Sequence, residues 1–256
     1  MTAVTVFYGV VAALFVVYAA YFLWLSLLPA ETERRADFVP PSVWPSVTVQ
    51  LPIYNEGQVA SCVIAAACAL DYPRDRMEIQ VLDDSTDHTS EIIANCVALR
   101  QEQGIRITQL RRPSRQDYKA GNLAHGLAHA QGDLVAVFDA DFLPEPGWLR
   151  RTAIRFVQPD QERLGAVQTR WSHQNADASA LTRAQSAMLD EYAQNQAQRA
   201  NGGLMPIFQG AAGLWRRACI VDAGGWSGKT LAEDLDITYR AQLRGWTFAY
   251  DSAILV

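Results

Sequence analysis

Several short clusters in this chain carry residue types suited to charged-group chemistry. Asp139-Ala140-Asp141 closes the apolar run Leu134-Val135-Ala136-Val137-Phe138. Two carboxylates one residue apart, leaving a buried strand, stay ionised together only where a cation or hydrogen-bond donors meet them. A hard divalent ion, Mg²⁺ or Mn²⁺, meets that need, because such ions are held by a few carboxylates plus substrate phosphates. An acidic turn also serves as a helix N-cap or a solvated loop, so this pair alone does not decide. Asp83-Asp84 ends a second apolar run, Ile79 to Leu82, and it too could cap the next helix. Two acidic strand ends on one sheet edge are a less ordinary coincidence than either alone.

A third cluster is Glu233-Asp234, within Thr230-Leu-Ala-Glu-Asp-Leu-Asp236. One reading is a capping box, with Thr230 and the following acids starting a helix from Leu235 to Leu243. The other is a general base, because a hydroxyl that attacks must lose its proton and a carboxylate in a dry pocket takes it well. Lys119 is one of only two lysines among 22 basic residues. It stands at the start of a predicted helix, where a cation opposes the helix dipole, so helix stabilisation does not explain it. A compact ammonium directed at phosphate does.

These groups need a frame that brings them to one edge, and the intervening sequence predicts one. Apolar runs at Val47–Leu51, Ile79–Leu82, Ile105–Leu110 and Leu134–Phe138 read as strands. Helical stretches at Gln58–Leu70, His88–Gln103 and Lys119–Ala130 alternate with them. That alternation predicts an α/β domain, a mostly parallel sheet covered on both faces. In such sheets ligands sit beyond the carboxyl ends of the strands. Asn55, Glu56, Asp83, Asp84, Asp139 and Asp141 all fall just after strand ends. A long helix is expected from about Ala178 to Gln198, with Leu181, Gln185, Met188 and Tyr192 at helical spacing.

Composition narrows the partners. A net charge of −5 gives no basic surface suited to nucleic acid. The four cysteines form no C-x-x-C, and reduced buried thiols are expected. His125 and His129 are four apart, but Gly126 stands where a zinc-protease glutamate belongs, so a helix-surface pair is expected. No charged residue precedes Glu31, and Val4 to Leu28 is almost unbroken apolar sequence. Residues 4–28 are long enough to cross a bilayer of about 30 Å as a transmembrane helix. No basic residue precedes the stretch as a signal peptide requires, so an anchor is expected rather than a cleaved leader. Arg34 and Arg35 follow it, which by the positive-inside rule puts the remainder in the cytoplasm, on the inner or plasma membrane. Residues 29–45, rich in proline and charge, read as a linker to a globular domain over 46–256. A nicotinamide-binding fold is excluded because the chain contains no G-x-G. Gly228-Lys229-Thr230 has the ending of a phosphate-binding P-loop, but Ala223 stands where its opening glycine belongs.

In order along the chain, the motifs resemble those of family 2 glycosyltransferases, and most the cellulose-synthase-like branch with the mannan and glucan synthases. Gln50-Leu-Pro-Ile-Tyr-Asn-Glu56 is similar to the opening strand and its nucleotide-contacting turn. Gln80 to Asp87 resembles the nucleoside segment, Tyr118 to Gly121 the K-A-G element, and Val137 to Phe142 the D-x-D. Phe208-Gln-Gly-Ala-Ala-Gly213 resembles the acceptor-side loop, and Glu233-Asp234 the catalytic pair. The likeness runs from about Val47 to Asp251. It implies a GT-A-type three-layer α/β domain and inverting transfer of a hexosyl group from a nucleotide-diphosphate sugar of the UDP-glucose or GDP-mannose type.

Position by position, the resemblance implies Tyr54 against the base, with Glu56, Asp83, Asp84 and Lys119 also on the donor. Asp139 is implied near the ribose and metal, and Asp141 on the Mg²⁺ or Mn²⁺ of the diphosphate. Asp234 is implied as the base, with Glu233 beside it, and Phe208, Gln209 and Gly210 on the acceptor side. The acceptor implied is a β-linked polysaccharide, with a lipid acceptor or a non-catalytic scaffold as alternatives. Two departures stand out. Gln209 and Ala211 replace the Asn and Thr of the usual loop, which bears on acceptor identity. No Q-x-x-R-W follows the base, and Gln168-Thr169-Arg170-Trp171 has other spacing and precedes it, so a chain incomplete at its C-terminus is expected.

Overall fold

The computed structural model describes residues 2–28 and 38–256. Seven strands form one sheet in the order β3-β2-β1-β4-β6-β5-β7. β1 (Val47–Ile53), β2 (Met77–Asp83), β3 (Ile107–Leu110) and β4 (Leu134–Val137) run parallel. β6 (Gly213–Arg216) is antiparallel to both β4 and β5 (Leu164–Arg170), and β7 (Thr247–Leu255) pairs parallel with β5. The parallel half explains the continuous apolar runs: every residue of β1 is buried, as a strand covered on both faces must be. Its two polar residues are satisfied across the sheet. Gln50 donates to Gln80 at 3.0 Å, and Thr48 to Glu78 at 2.6 Å.

The sheet separates two cores, which makes the domain three-layered. On one face Val49, Leu51 and Ile79 pack with Val63, Ile64 and Ile93 of α2 (Gly57–Cys68) and α3 (Thr89–Glu102). On the other, Leu82, Val135 and Val137 meet Leu123 of α4 (Tyr118–His129) and Trp215 of β6. Ile220 of α7 (Arg217–Asp222) and Ile237 of α8 (Glu233–Leu243) complete that core, and the short α5 (Trp148–Ala153) adds Trp148 and Leu149 to the first.

The expected elements are present with shifted ends. Ile105 belongs to the turn closing α3 rather than to β3, because Gly104 takes φ +76° and Ile105 N–H returns to the Arg100 carbonyl. The long helix α6 runs Ala180–Asn201, later than expected, because Ser179 and Thr182 form its capping box. Of the thiols expected buried, Cys219 is, whereas Cys62 is exposed.

α1 (Ala3–Ser26) spans the apolar stretch, and its 24 residues are long and apolar enough to cross a membrane. Its end docks on α6: the Arg199 guanidinium donates to the Tyr21 hydroxyl at 2.6 Å, and Leu28 lies against Gly202. Residues 29–37 of the expected linker, with Arg34 and Arg35, lie outside the described residues.

Candidate active site at the strand ends

The turn after β1 projects Tyr54, Asn55 and Glu56. Asn55 adopts φ +57° and locks this turn to the one after β2, accepting from Thr86 N–H at 2.8 Å while its own N–H donates to Ser85 at 3.1 Å. Glu56 accepts from Tyr54 N–H at 3.3 Å. Burial pushes its carboxyl above the ordinary range, and Asp141 and Asp139 add to the shift, against the lowering by that hydrogen bond and by Lys119.

After β2 the two aspartates divide. Asp83 is buried and turned into the scaffold, accepting from Ser85 N–H (2.8 Å), Ser90 (2.6 Å) and Gln109 (2.8 Å). Burial raises its carboxyl, but these hydrogen bonds outweigh that and hold it below the usual value. Asp84 faces the cleft, yet both its oxygens are taken by Arg112, at 2.8 and 2.6 Å.

Asp139, just beyond β4, meets Lys119 from the first turn of α4 at 2.5 Å. Burial drives the Asp139 carboxyl up, Lys119 opposes this, and Asp141 and Asp234 add to it. The Lys119 ammonium also donates to the Gly210 carbonyl at 3.1 Å. Gly210 has φ +82°, and a Cβ there would stand 3.3 Å from Asp234 Oδ2 and 3.5 Å from Lys119 Nζ. Three segments far apart in sequence thus converge on one glycine.

The capping-box reading of Thr230 does not hold. The residue before α8 is Ala232, with no side-chain cap, and Thr230 donates instead to the Ala232 carbonyl at 3.2 Å. Asp234 accepts from Leu235 N–H through Oδ1 at 2.8 Å, and Glu233 opens the same first turn.

The loop 208–213 owes its shape to β5. Gln168 donates to the carbonyls of Ala211 and Ala212, both at 3.1 Å, and accepts from Gln209 N–H at 3.0 Å. Trp171 donates to the Ala211 carbonyl at 3.3 Å. Phe208, expected on the acceptor side, buries its ring against Trp215 and Trp226.

Two cavities open here. One, of about 290 Å³, is lined by Tyr54, Glu56, Asp84, Lys119, Asp139 and Asp141. The other, of about 710 Å³, lies across Asp141 and is walled by Phe142, Trp171, His173 and Gln185. Asp141 borders both. Among the described residues no cluster of three or more His, Cys, Asp or Glu side chains could hold a metal ion by itself.

A family model described as glycosyltransferase-like family 2 matches residues 45–256. The chain belongs to that family. It is 40% identical over 236 residues to a rice protein, glucomannan 4-beta-mannosyltransferase 1, covering 86% of this chain and 44% of that protein. It is 42% identical over 233 residues to glucomannan 4-beta-mannosyltransferase 2 of Arabidopsis thaliana, covering 86% and 43%. The chain therefore spans less than half the length of these relatives. Among solved structures, the Pyrobaculum calidifontis mannosyltransferase in complex with GDP-mannose and Mn²⁺ superposes with a TM-score of 0.76 at 23% identity, over 96% of this chain and 66% of that one. Staphylococcus aureus TarS 1–349 with UDP-GlcNAc gives 0.58 at 16%, over 82% and 57%. These two share the fold.

Within this family 2 domain the structure adds residues the sequence reading passed over. Arg115, in the loop before α4, lines the smaller cavity, and Arg112 beside it holds Asp84 on the cavity wall. Asn122 lies one helical turn after Lys119. Gln168 and Trp171 hold the loop around Gly210. The arginine-rich run Arg111-Arg112-Pro-Ser-Arg115 was a visible signal, but nothing local distinguishes a guanidinium clamped on a carboxylate from one left in a cleft.

Proposed function

We propose that this family 2 chain transfers a hexosyl group, with inversion, from a nucleoside-diphosphate sugar to a hydroxyl of a β-linked polysaccharide. The observation that carries the reading is the convergence at Gly210, where Lys119, ion-paired with the D-x-D carboxylate Asp139, and the candidate base Asp234 stand on either side of one backbone position. The names of the relatives point to mannose as the transferred sugar.

In this reading Tyr54 and Glu56 border the nucleotide, with Asp84 held on the cleft wall by Arg112 while Asp83 braces the turn from behind. Asp234 Oδ2 takes the proton from the acceptor hydroxyl. The acceptor oxygen bonds to the anomeric carbon as the bond from that carbon to the diphosphate oxygen breaks. Lys119 offsets the charge left on the leaving diphosphate.

Asp139 and Asp141 are the residues that would hold a Mg²⁺ or Mn²⁺ ion. Their donor set fits, since such ions take one or two carboxylates and complete their shell with phosphate oxygens and water. Burial is the main cause of the upward push on Glu56 and Asp139, so a cation added in the cleft would favour the ionised form of both. When bound, the ion supplies Lewis-acid stabilisation of the departing diphosphate.

The larger cavity supports a glycan over a lipid as acceptor, because Trp171 and Phe142, edge to face at 5.1 Å, stand beside amide, imidazole and hydroxyl groups suited to sugar. Gly210 and Gln209 border the acceptor at the base, with Glu233 beside Asp234. α1 anchors the domain in the membrane, with the domain cytoplasmic on the strength of Arg34 and Arg35.

The test is binding of GDP-mannose and UDP-glucose with and without Mn²⁺, beside Asp141→Ala, and sugar transfer to a β-1,4-manno-oligosaccharide. Mn²⁺-dependent binding of one donor, lost in Asp141→Ala, is expected. Folded protein that binds neither donor in either condition would overturn the reading.

A further inference from the structure

The loop between β3 and α4 carries three arginines, and two are neutralised. Arg111 stands 3.5 Å from Asp83, and Arg112 clamps Asp84. Arg115 has no carboxylate partner among the described residues. Its guanidinium lies flat on the Tyr54 ring, 3.3 Å from the centroid, with Tyr118 at 5.1 Å. It lines the smaller cavity together with Tyr54, Lys119 and Asp139.

That placement is built. Arg112 also donates to the carbonyls of Gln116 (2.6 Å) and Tyr118 (2.7 Å), fixing the loop on the first turn of α4. A Cβ on Gly121 would collide with the Gln116 carbonyl and Arg112, so this glycine lets the loop close down. Asp117 and Tyr118 adopt φ +59° and +46°, an uncommon conformation for side-chain-bearing residues, and it turns the loop toward the cleft.

A second, independent feature points to a ligand in the same cavity. Asn122 is 3% exposed, and its Nδ2 donates to the Leu82 carbonyl at 2.8 Å. Its Oδ1 is buried without a hydrogen-bond partner. Buried acceptors in native proteins are satisfied, so an unmet one at a cavity wall asks for a donor from whatever fills the cavity.

We propose that Arg115 reads the base of the donor nucleotide and selects guanine, with Asn122 accepting from a base N–H. This rests on the transferase reading above and names its donor base. The Tyr54 face now covered by the guanidinium is a stacking surface for a flat ring, and planar Arg and a purine are equivalent occupants of it. Once displaced to the ring edge, the guanidinium presents two parallel N–H donors. Guanine offers two adjacent acceptors, O6 and N7, and the bidentate pair between them is the commonest specific contact of Arg with a base. Uracil has no such pair of neighbouring acceptors. The diphosphate end of the cavity is already served by Lys119, against Asp139.

The experiment titrates GDP and UDP, each with Mn²⁺, into the full chain and into Arg115→Ala and Arg115→Lys, with thermal melts to verify folding. The expected result is tighter binding of GDP than UDP by the parent. Arg115→Ala then weakens GDP by roughly 10- to 100-fold and changes UDP far less. Arg115→Lys keeps the charge but not the fork, so it loses the preference too, and it carries the test if the alanine variant misfolds. Equal weakening of GDP and UDP would place Arg115 on the diphosphate and overturn the proposal. An unchanged preference, or a parent that favours UDP, would overturn it while leaving the transferase reading intact. A folded parent that binds neither nucleotide overturns both.

Discussion

Gly210→Ala separates backbone strain from a catalytic role for the loop around it. Gly210 has φ +82°, and the added methyl would lie 3.3 Å from Asp234 Oδ2 and 3.5 Å from Lys119 Nζ. Holding an alanine in this left-handed conformation costs about 1–2 kcal/mol, which for a domain of this size lowers the melting temperature by roughly 2–8 °C. The second effect is local. Asp234 gives way by a few tenths of an ångström while Lys119 stays at ordinary contact distance, and displacement of a reacting group by about 1 Å costs on the order of 100-fold in rate. The expected activity loss, measured well below the melting temperature, is therefore about 3- to 10-fold in kcat. Gly104→Ala is the control. It has a similar φ of +76°, nothing lies within 4 Å of its Cβ position, and it closes α3 away from the site. It should lower the melting temperature comparably and leave kcat unchanged. Sugar transfer and thermal melts on the three proteins suffice. If Gly210→Ala loses no more activity than Gly104→Ala, the convergence of Lys119, Asp139 and Asp234 has no catalytic meaning.

Three further outcomes are expected. Mn²⁺ affinity, measured by calorimetry between pH 8 and 5, should begin to fall above the ordinary carboxylate range, because burial raises Glu56 and Asp139 from 4.5 and 3.8. The same shifts mean that the metal-free fold takes up protons before the unfolded chain does and gains stability as pH falls through that window; an affinity flat to pH 5 would count against these carboxylates. Asp83→Ala should act through stability, costing about 2–4 kcal/mol as Ser85, Ser90, Gln109 and Arg111 lose their acceptor, read as a drop in melting temperature. Because Asp83 is held below its ordinary value, its contribution is present above the unfolded pKa and lost as pH falls through the folded one, so parent and variant should converge in acid. Trp171→Ala should raise KM for a manno-oligosaccharide by about 5- to 30-fold, the loss of one aromatic contact, without changing donor affinity; an unchanged KM would move the acceptor out of the larger cavity.

The layered fold and the strand-end position of the site were legible because they follow from two local signals. Buried parallel strands are continuous apolar runs, and the polar residues that follow them stand at the ligand-binding edge. Asp139, Asp141 and Glu56 were found this way and Lys119 as a rare lysine at a helix start, and the structure brings them to one cavity. What local pattern could not supply was direction. Asp83 is the last residue of β2 and Asp84 the first beyond it, and the two turn opposite ways, one into the scaffold and one into the cleft. Phe208 sits in a motif whose backbone matters while its ring belongs to the core. The capping box expected at Thr230 failed because α8 begins at Glu233, after Ala232, which has no side chain to cap with. Arg115 and Asn122 were invisible because their significance lies in a guanidinium with no carboxylate among the described residues and an amide oxygen left unpaired, properties only the assembled structure has.

Helix α6 links the apolar segment to the proposed chemistry. Gln185 and Met188, near its first turns, wall the larger cavity. Tyr192, one turn further, feels the charge of Asp234, which with burial raises its hydroxyl. Arg199 and Gly202, at its end, receive Tyr21 and Leu28 from the end of α1. A helix of 22 residues is rigid on this scale, so the distance from the base to the end of α1 is set by the fold rather than by a floating tether. Were α1 only an anchor, the half-buried hydrogen bond between Tyr21 and Arg199 would serve no purpose beyond local packing. Its geometry instead fixes where the acceptor cavity opens relative to the apolar helix. Tyr21→Phe keeps the ring and removes the bond, so it should leave donor binding intact in the detergent-solubilised chain. Transfer by membrane-embedded protein to a long acceptor should fall, because the cavity mouth is no longer held at a fixed height. Equal transfer by parent and variant in both settings would reduce the α1–α6 contact to packing alone.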